Sequence, residues 1–351
     1  MQKQKFSEQS LTLNQILGVI LMFVLSLSAG CMLINIFNHK NDYFPLEEKI
    51  DYLKERKDEY NTLFVGDSRV LRHLIPYDFD QYLTTEGVES RSYNLGFAGA
   101  NYYEIKDMLE RVRRMKPAAL KWVFIEVSFK KKFIFKNGSL RNFHLYRVTS
   151  VFNSLRYYFL KAQEKSFLEK VRIGEAHFKM LLLNYSNRGL MSLLIRHEEK
   201  MGRHSFRYLA EKNGFIASDQ RYVARGIYER DLKFHGSEEA YKRKSGKKVK
   251  TIEITESDFA LIRELIDLVH DMGAKAVLIQ SPSGFSQARY LKPKFHISDV
   301  LWLESYQDVE RYPELFEITN RFDPIHLKES GARIYTRLVA QDFVKQFKEQ
   351  R

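Results

Sequence analysis

Residues 62–70 read TLFVGDSRV: an apolar run enters Gly66, Asp67 and Ser68 and turns basic at Arg69. Two explanations cover that glycine, acid and hydroxyl. In the first, Gly-Asp-Ser is turn chemistry, because Gly permits positive φ and Asp and Ser bond back to their own backbone. In the second, Leu63–Val65 is a buried strand and Ser68 a nucleophile at its carboxyl end, where open α/β folds place their ligands. The tripeptide alone does not separate the two, so the rest of the chain has to.

Working outward, SRSYNLGFAGANYYEIKDMLERVRRMKP (90–117) predicts a short strand at Ser92–Asn94, a Gly-bearing turn and a helix over Tyr102–Met115 that Pro117 stops. The run LKWVFIEVSF (120–129) is continuously apolar at strand length, as for a strand covered on both faces. Strand, turn and helix in that order predict an α/β fold with a parallel sheet. The pattern resumes with a helix in SDFALIRELIDLVHDMGA (257–274), a strand in KAVLIQSP (275–282) and a closing helix over about 328–347. Residues of about 130–250 fit the alternation poorly and read as a helical, basic insertion over the site. Within it, YKRKSGKKVK (241–250) reads as a solvated loop or as a contact for anionic headgroups or a polyanion. Lys130, Lys131 and Lys132 cluster just past a strand end, on the edge where a ligand would lie.

The chain has 351 residues, 44% hydrophobic, enough to bury a full core. Its 57 Lys and Arg against 44 Asp and Glu leave +13, which favours an anionic neighbour without specifying a fold. The single cysteine, Cys31, excludes an intramolecular disulfide and a cysteine metal site. No metal site is expected, because His197 and His204 are seven apart, not a ligand spacing. Gly96 and Gly99 make only half of a nucleotide-binding fingerprint, and no cofactor is expected.

From Ile16 to Ile34, nineteen residues pass without a charge, enough to cross a bilayer as a helix. The rival readings are a cleaved signal peptide and a lipoprotein box ending at Cys31; continuation of apolar residues through Phe37 favours an uncleaved anchor. The expected organisation is a tail (1–15), a transmembrane anchor (16–37), a charged amphipathic or stalk helix (38–60) and a globular domain (61–347) held at a membrane surface. Lysines flank the anchor on both sides, so charge does not orient it. An anchor also argues against nucleic acid as the partner of the basic surface.

The second signal for a serine site is RFDPIHLKESGARIY (321–335). Asp323 and His326 stand three apart before the closing helix, so one loop could present both. Ser68 is a poor nucleophile until a base takes its proton; His326 has a suitable ordinary pKa, and Asp323 could fix its tautomer.

With these residues in place, the chain resembles the SGNH (GDSL-like) hydrolase superfamily. The resemblance is carried by Gly66-Asp67-Ser68, by Asn94-Leu95-Gly96-Phe97-Ala98-Gly99, and by Asp323-Pro324-Ile325-His326-Leu327 followed by Gly331-Ala332. It covers roughly residues 58–128 and 255–347. It implies a three-layer α/β/α sandwich, with Ser68 as nucleophile, His326 as base, Asp323 as its orienting partner, and the Ser68 and Gly99 N–H groups in an oxyanion hole. The family's third block, Gly-x-Asn-Asp, is missing: after the third strand the chain reads Glu126-Val127-Ser128-Phe129. Asn101 and Ser128 are the candidates for the missing donor, whose loss typically costs about 10²- to 10³-fold in turnover.

An anchor followed by such a domain without that Asn is similar to a narrower set, the bacterial membrane-anchored DltD-like and polysaccharide O-acetylation proteins. That resemblance implies an extracytoplasmic domain on the bacterial inner membrane, beside a multi-span membrane-bound O-acyltransferase. It also implies acyl transfer to or from a cell-surface glycan or lipid-linked polymer. Two functions stay open: a serine esterase or O-acyltransferase working through a Ser68 ester, and a non-catalytic partner that keeps the fold for docking.

Overall fold

Phe64, Phe124, Val277 and Leu301 stand side by side in register across four neighbouring strands and belong to one buried cluster. That row is the spine of the computed structural model, which describes residues 12–38, 45–127, 166–185, 212–218, 250–253, 256–282, 289–292, 300–323 and 325–349, with 151–152, 155–156 and 159. In chain order the main elements are α1 (Leu13–Asn38), α2 (Pro45–Glu55), β1 (Thr62–Val65), α3 (Ser68–His73), α4 (Pro76–Thr85), β2 (Ser92–Asn94), α5 (Tyr102–Met115) and β3 (Trp122–Glu126). They continue with α6 (Phe167–Tyr185), β4 (Lys250–Glu253), α7 (Glu256–His270), β5 (Lys275–Gln280), β6 (Arg289–Lys292), β7 (Val300–Ser305) and α8 (Glu329–Glu349). The chain divides into two compact units: one holds α1 and α6, and the other holds the sheet, α2–α5, α7 and α8.

In the sheet unit, five parallel strands run in the order β2-β1-β3-β5-β7. Successive residues of a strand point to opposite faces, yet Leu63, Phe64 and Val65 are all buried, as are Val123, Phe124 and Ile125. Both faces are therefore covered, which is why these strands read as unbroken apolar runs. The helices that cover them form two groups, α3 and α4 with α8, and α2 with α5 and α7. On the α4–α8 side, Phe64, Phe79, Phe124 and Phe343 interlock edge to face or tilted, with ring centroids 5.1–6.0 Å apart. The sheet grows from β1 to β2 on one side and then from β1 to β3 on the other. The carboxyl end of β1 is thus the topological switch point, the place where such sheets open a crevice.

The expected strands at 92–94 and 275–282 and helices at 102–115, 257–274 and 328–347 correspond to β2, β5, α5, α7 and α8. The segment read as an amphipathic or stalk helix forms α2, whose Leu46, Ile50 and Leu53 are buried. Elements α3, α4, β4, β6 and β7 of the sheet unit carried no sequence expectation. Residues 212–218, within the stretch expected as an insertion, pack into the sheet unit: Asn94 N–H donates to Asn213 O (2.8 Å), Ile216 N–H donates to Leu71 O (3.1 Å), and Phe215 is buried with Ile75 and Ala332. A separate parallel pair, β4 with β6, accompanies the main sheet.

In the other unit, α1 exposes Ile16, Leu17 and every large apolar side chain from Val19 to Leu25, all round its axis. Helix α6 exposes Phe167, Val171, Phe178 and Leu182 along one stripe, with Leu168 beside it, and buries His177. Among the described residues no helix is long and apolar enough to cross a membrane. The side chains of α1 are described only from Asn14 to Gly30, so the expected span 16–34 runs past them. Lys130–Lys132, Ser128 and residues 241–249 of the basic run also lie outside the described residues.

Candidate active site

Strand β1 ends at Val65, and the chain turns at once into α3 with Asp67 as its N-cap. The turn is tight because Gly66 lies against Val70 and Glu126: a Cβ there would sit 2.4 Å from Val70 Cγ2 and 2.7 Å from Glu126 Cβ. The Asp67 carboxylate accepts the Arg69 N–H (2.8 Å) and takes the Arg69 guanidinium through Nε (3.1 Å) and Nη2 (2.8 Å). Asp67 therefore does the turn and capping work of the first reading, and Ser68 opens the helix at the carboxyl end of β1, the position the second reading requires. As a first-turn residue, Ser68 has an N–H without an intrahelical acceptor.

The short helix α3 is held from outside. Asn94 Nδ2 donates to Val70 O and Leu74 O, both at 2.7 Å, while its Oδ1 accepts the Gly96 N–H (2.9 Å). Thr336 Oγ1 donates to His73 O and accepts the Ile75 N–H, both at 3.0 Å. Gly96 approaches so closely that a Cβ would meet the Leu71 nitrogen at 2.3 Å, which no side chain tolerates. The Asn-Leu-Gly block thus grips the helix that carries Ser68 directly.

His326 arrives from the far end of the chain. Its Nε2 lies 2.8 Å from Ser68 Oγ, and its Nδ1 lies 2.8 Å from Asp323 Oδ2. The Asp323 Oδ1 accepts the Ile325 N–H (2.7 Å) and the His326 N–H (2.8 Å). Burial by itself raises the Asp323 pKa, but the bond and charge of His326 and the two backbone N–H groups outweigh it and hold the carboxyl below its usual value. The Asp323 carboxylate therefore stays ionised and keeps the Nδ1 proton in place, leaving Nε2 to accept from Ser68. His326 and Asp323 side chains are 19% and 25% exposed, and Ser68 is half-buried.

Of the expected oxyanion donors, Gly99 sits exposed in the turn that ends the second block with φ 69°, a conformation suited to glycine. Asn101 is the N-cap of α5: its Oδ1 accepts the Tyr103 and Glu104 N–H groups at 2.9 and 3.2 Å, and its own N–H donates to Glu104 Oε2 (2.7 Å). Only its Nδ2 remains as a donor.

Sequence reasoning missed the buried polar groups beneath the site. Lys49 of α2, 1% exposed, donates from Nζ to Gly96 O (2.7 Å), and Phe97 N–H donates to Gly66 O (3.0 Å). The peptide between Gly96 and Phe97 is clamped at both ends before the chain reaches Gly99. Glu126, fully buried, accepts the Ser281 N–H (2.9 Å) and hydroxyl and lies 4.0 Å from Arg69 Nη2. Burial and the Asp67 charge push the Glu126 carboxyl up, against the opposing pull of Arg69 and Ser281. Asp67 moves the other way: burial raises it, but the Arg69 charge and hydrogen bonds prevail and hold it low. A lysine in a charged helix and a glutamate at a strand end leave no mark in a sequence that distinguishes them from surface residues.

Among the described residues, no cluster of His, Cys, Asp or Glu could hold a metal ion. The chain matches no protein-family model and no curated protein.

Proposed function

We propose that this protein is a membrane-anchored serine esterase or O-acyltransferase of the SGNH type, acting on an acylated cell-surface glycan or lipid-linked polymer. One observation carries the reading: Asp323, His326 and Ser68, from opposite ends of the chain, form a continuous line of two 2.8 Å contacts at the switch point of a parallel sheet. Chance proximity rarely aligns a base between its orienting acid and a helix-borne hydroxyl.

In the proposed reaction, Ser68 Oγ attacks the acyl carbonyl carbon as His326 Nε2 takes its proton, and Asp323 stabilises the imidazolium. The carbonyl oxygen becomes an oxyanion that the Ser68 and Gly99 N–H groups receive, with Asn101 Nδ2 as the available third donor. Collapse breaks the ester bond, and His326 protonates the departing alkoxide. A water or an acceptor hydroxyl, deprotonated by His326, then attacks the acyl-serine and regenerates Ser68.

The membrane part of the reading rests on where apolar side chains lie. Apart from Tyr77 and Ile325, the exposed large apolar side chains of the described residues all belong to the unit of α1 and α6. A helix apolar and exposed all round suits lipid better than a single protein groove. A multi-span O-acyltransferase is the partner this arrangement would serve. Nucleic acid is not part of the proposal.

The test is intact-mass spectrometry of the full-length protein in detergent after a fluorophosphonate probe, beside Ser68→Ala. A single adduct on the wild type that the variant lacks is the expected result. A folded wild type that takes no adduct would favour the second reading, a docking partner whose chemistry resides in the acyltransferase it binds.

A further inference from the structure

We infer that His73 is a positioning residue of this site: it seats the His326 loop against the helix that carries Ser68. This builds on the proposed serine chemistry. His73 is fully buried, and its Nε2 accepts the Leu327 N–H at 3.0 Å. That N–H belongs to the peptide unit between His326 and Leu327, whose carbonyl end accepts the Phe322 and Asp323 N–H groups at 2.9 and 3.3 Å. The loop's other backbone bonds are internal to it, including Lys328 N–H to Asn320 O (2.9 Å). Among the described residues, His73 supplies the one backbone contact of this peptide that comes from the nucleophile's own helix.

The geometry makes His73 a rigid spacer. Its ring stands edge to face with His326 (centroids 6.2 Å, 75°) and with Tyr335 (6.0 Å, 88°). Its backbone carbonyl is fixed by Thr336, and the preceding turn of α3 by Asn94. Because Nε2 accepts, the ring proton of the neutral form is on Nδ1, which is buried with no partner among the described residues. Burial, with the charges of His326, Arg321, Arg69 and Arg72 adding to it, holds the His73 pKa well below 6.5, so the accepting form persists at neutral pH. A histidine that costs a buried unpaired N–H is explained if its other nitrogen does something an apolar residue could not.

The distinction from a packing role is testable with two variants of the full-length protein. His73→Gln keeps an acceptor near the Nε2 position; His73→Leu keeps bulk and removes it. The readouts are the fluorophosphonate inactivation rate at Ser68, kcat and KM for p-nitrophenyl acetate, and hydrogen exchange of the peptide covering 321–328. His73→Leu is expected to slow inactivation and lower kcat by about 10²-fold at unchanged KM, the cost of a base displaced by roughly an ångström. Exchange of 321–328 should rise while that of β1 and β3 stays as in wild type. His73→Gln should recover activity to within about threefold of wild type. Equal losses in the two variants, or a fully active His73→Leu, would overturn the inference. If the wild type itself takes no adduct, the serine reading fails; exchange then decides the seating alone, which stands if only His73→Leu loosens 321–328 and falls if neither or both do.

Discussion

Ser68 and His326 meet at 2.8 Å, but they arrive on dissimilar backbones. Ser68 opens a helix that follows a strand buried on both faces, and Asn94 and Thr336 tie that helix to β2 and α8. His326 rides a loop whose backbone is bonded mainly to itself and to the Ser68 helix through His73. The place of Ser68 is thus set by the core of the sheet, whereas the place of His326 is set by a handful of hydrogen bonds. A site built this way should lose its chemistry through changes on the loop that cost little stability, and lose its fold through changes beneath the serine.

The largest effect breaks the contact itself. Ser68→Ala should lower p-nitrophenyl acetate turnover by about 10⁶-fold with an unchanged melting midpoint, read by steady-state kinetics and calorimetry side by side. On the loop side, Asp323→Asn should cost about 10⁴-fold, because the amide favours the wrong tautomer of His326; a loss below tenfold would mean that Asp323 does not orient the base. On the serine side, Asn94→Ala should act on the fold. It strands the Leu74 carbonyl and the Gly96 N–H in the interior and leaves Val70 O with only the Leu74 N–H, so denaturant unfolding should show a loss of about 3 kcal/mol.

Acid sharpens the same comparison. The native pKa of Asp323 is depressed below its ordinary 3.8, so its contribution to stability is present above 3.8 and is lost as pH falls through the native value. The stability difference between wild type and Asp323→Asn should therefore hold from neutrality to about pH 4 and shrink below it. A difference that grows on acidification would contradict the assigned Asp323–His326 hydrogen bond. The smallest effect is expected at Lys49→Met, where removal of a buried, desolvated amino group offsets the orphaned Gly96 carbonyl. Stability should change by about 1 kcal/mol or less, while kcat falls about tenfold through a looser turn ahead of Gly99.

Most of the sheet was readable from the chain because each strand carries its own evidence. The apolar runs at 62–65, 122–126 and 275–280 need two covered faces, and Gly, Pro and Asn mark their ends. Strand β7 escaped notice because the four apolar residues of VLWLES are too short a run for periodicity to tell a strand from a helix segment. Residues 212–218 escaped because their partners, Asn94 and Leu71, lie more than a hundred positions away. The site divides likewise. Ser68, Asp323 and His326 were legible because reactive residue types stood at the end of a strand and three apart before a helix. Lys49, His73 and Glu126 were not, since their importance lies in which distant carbonyl or N–H they meet.

By itself, the sequence determined that the chain alternates strands and helices, that one long segment is wholly apolar, and that a serine and an Asp-x-x-His pair stand at element ends. These follow from local periodicity and residue chemistry, which a neighbour in sequence can reveal. Only the tertiary structure decided that the serine and histidine share one hydrogen bond, and that Lys49 and His73 hold the peptides on either side of it. Those contacts join segments 47 and 254 residues apart, and burial, not local propensity, selects them.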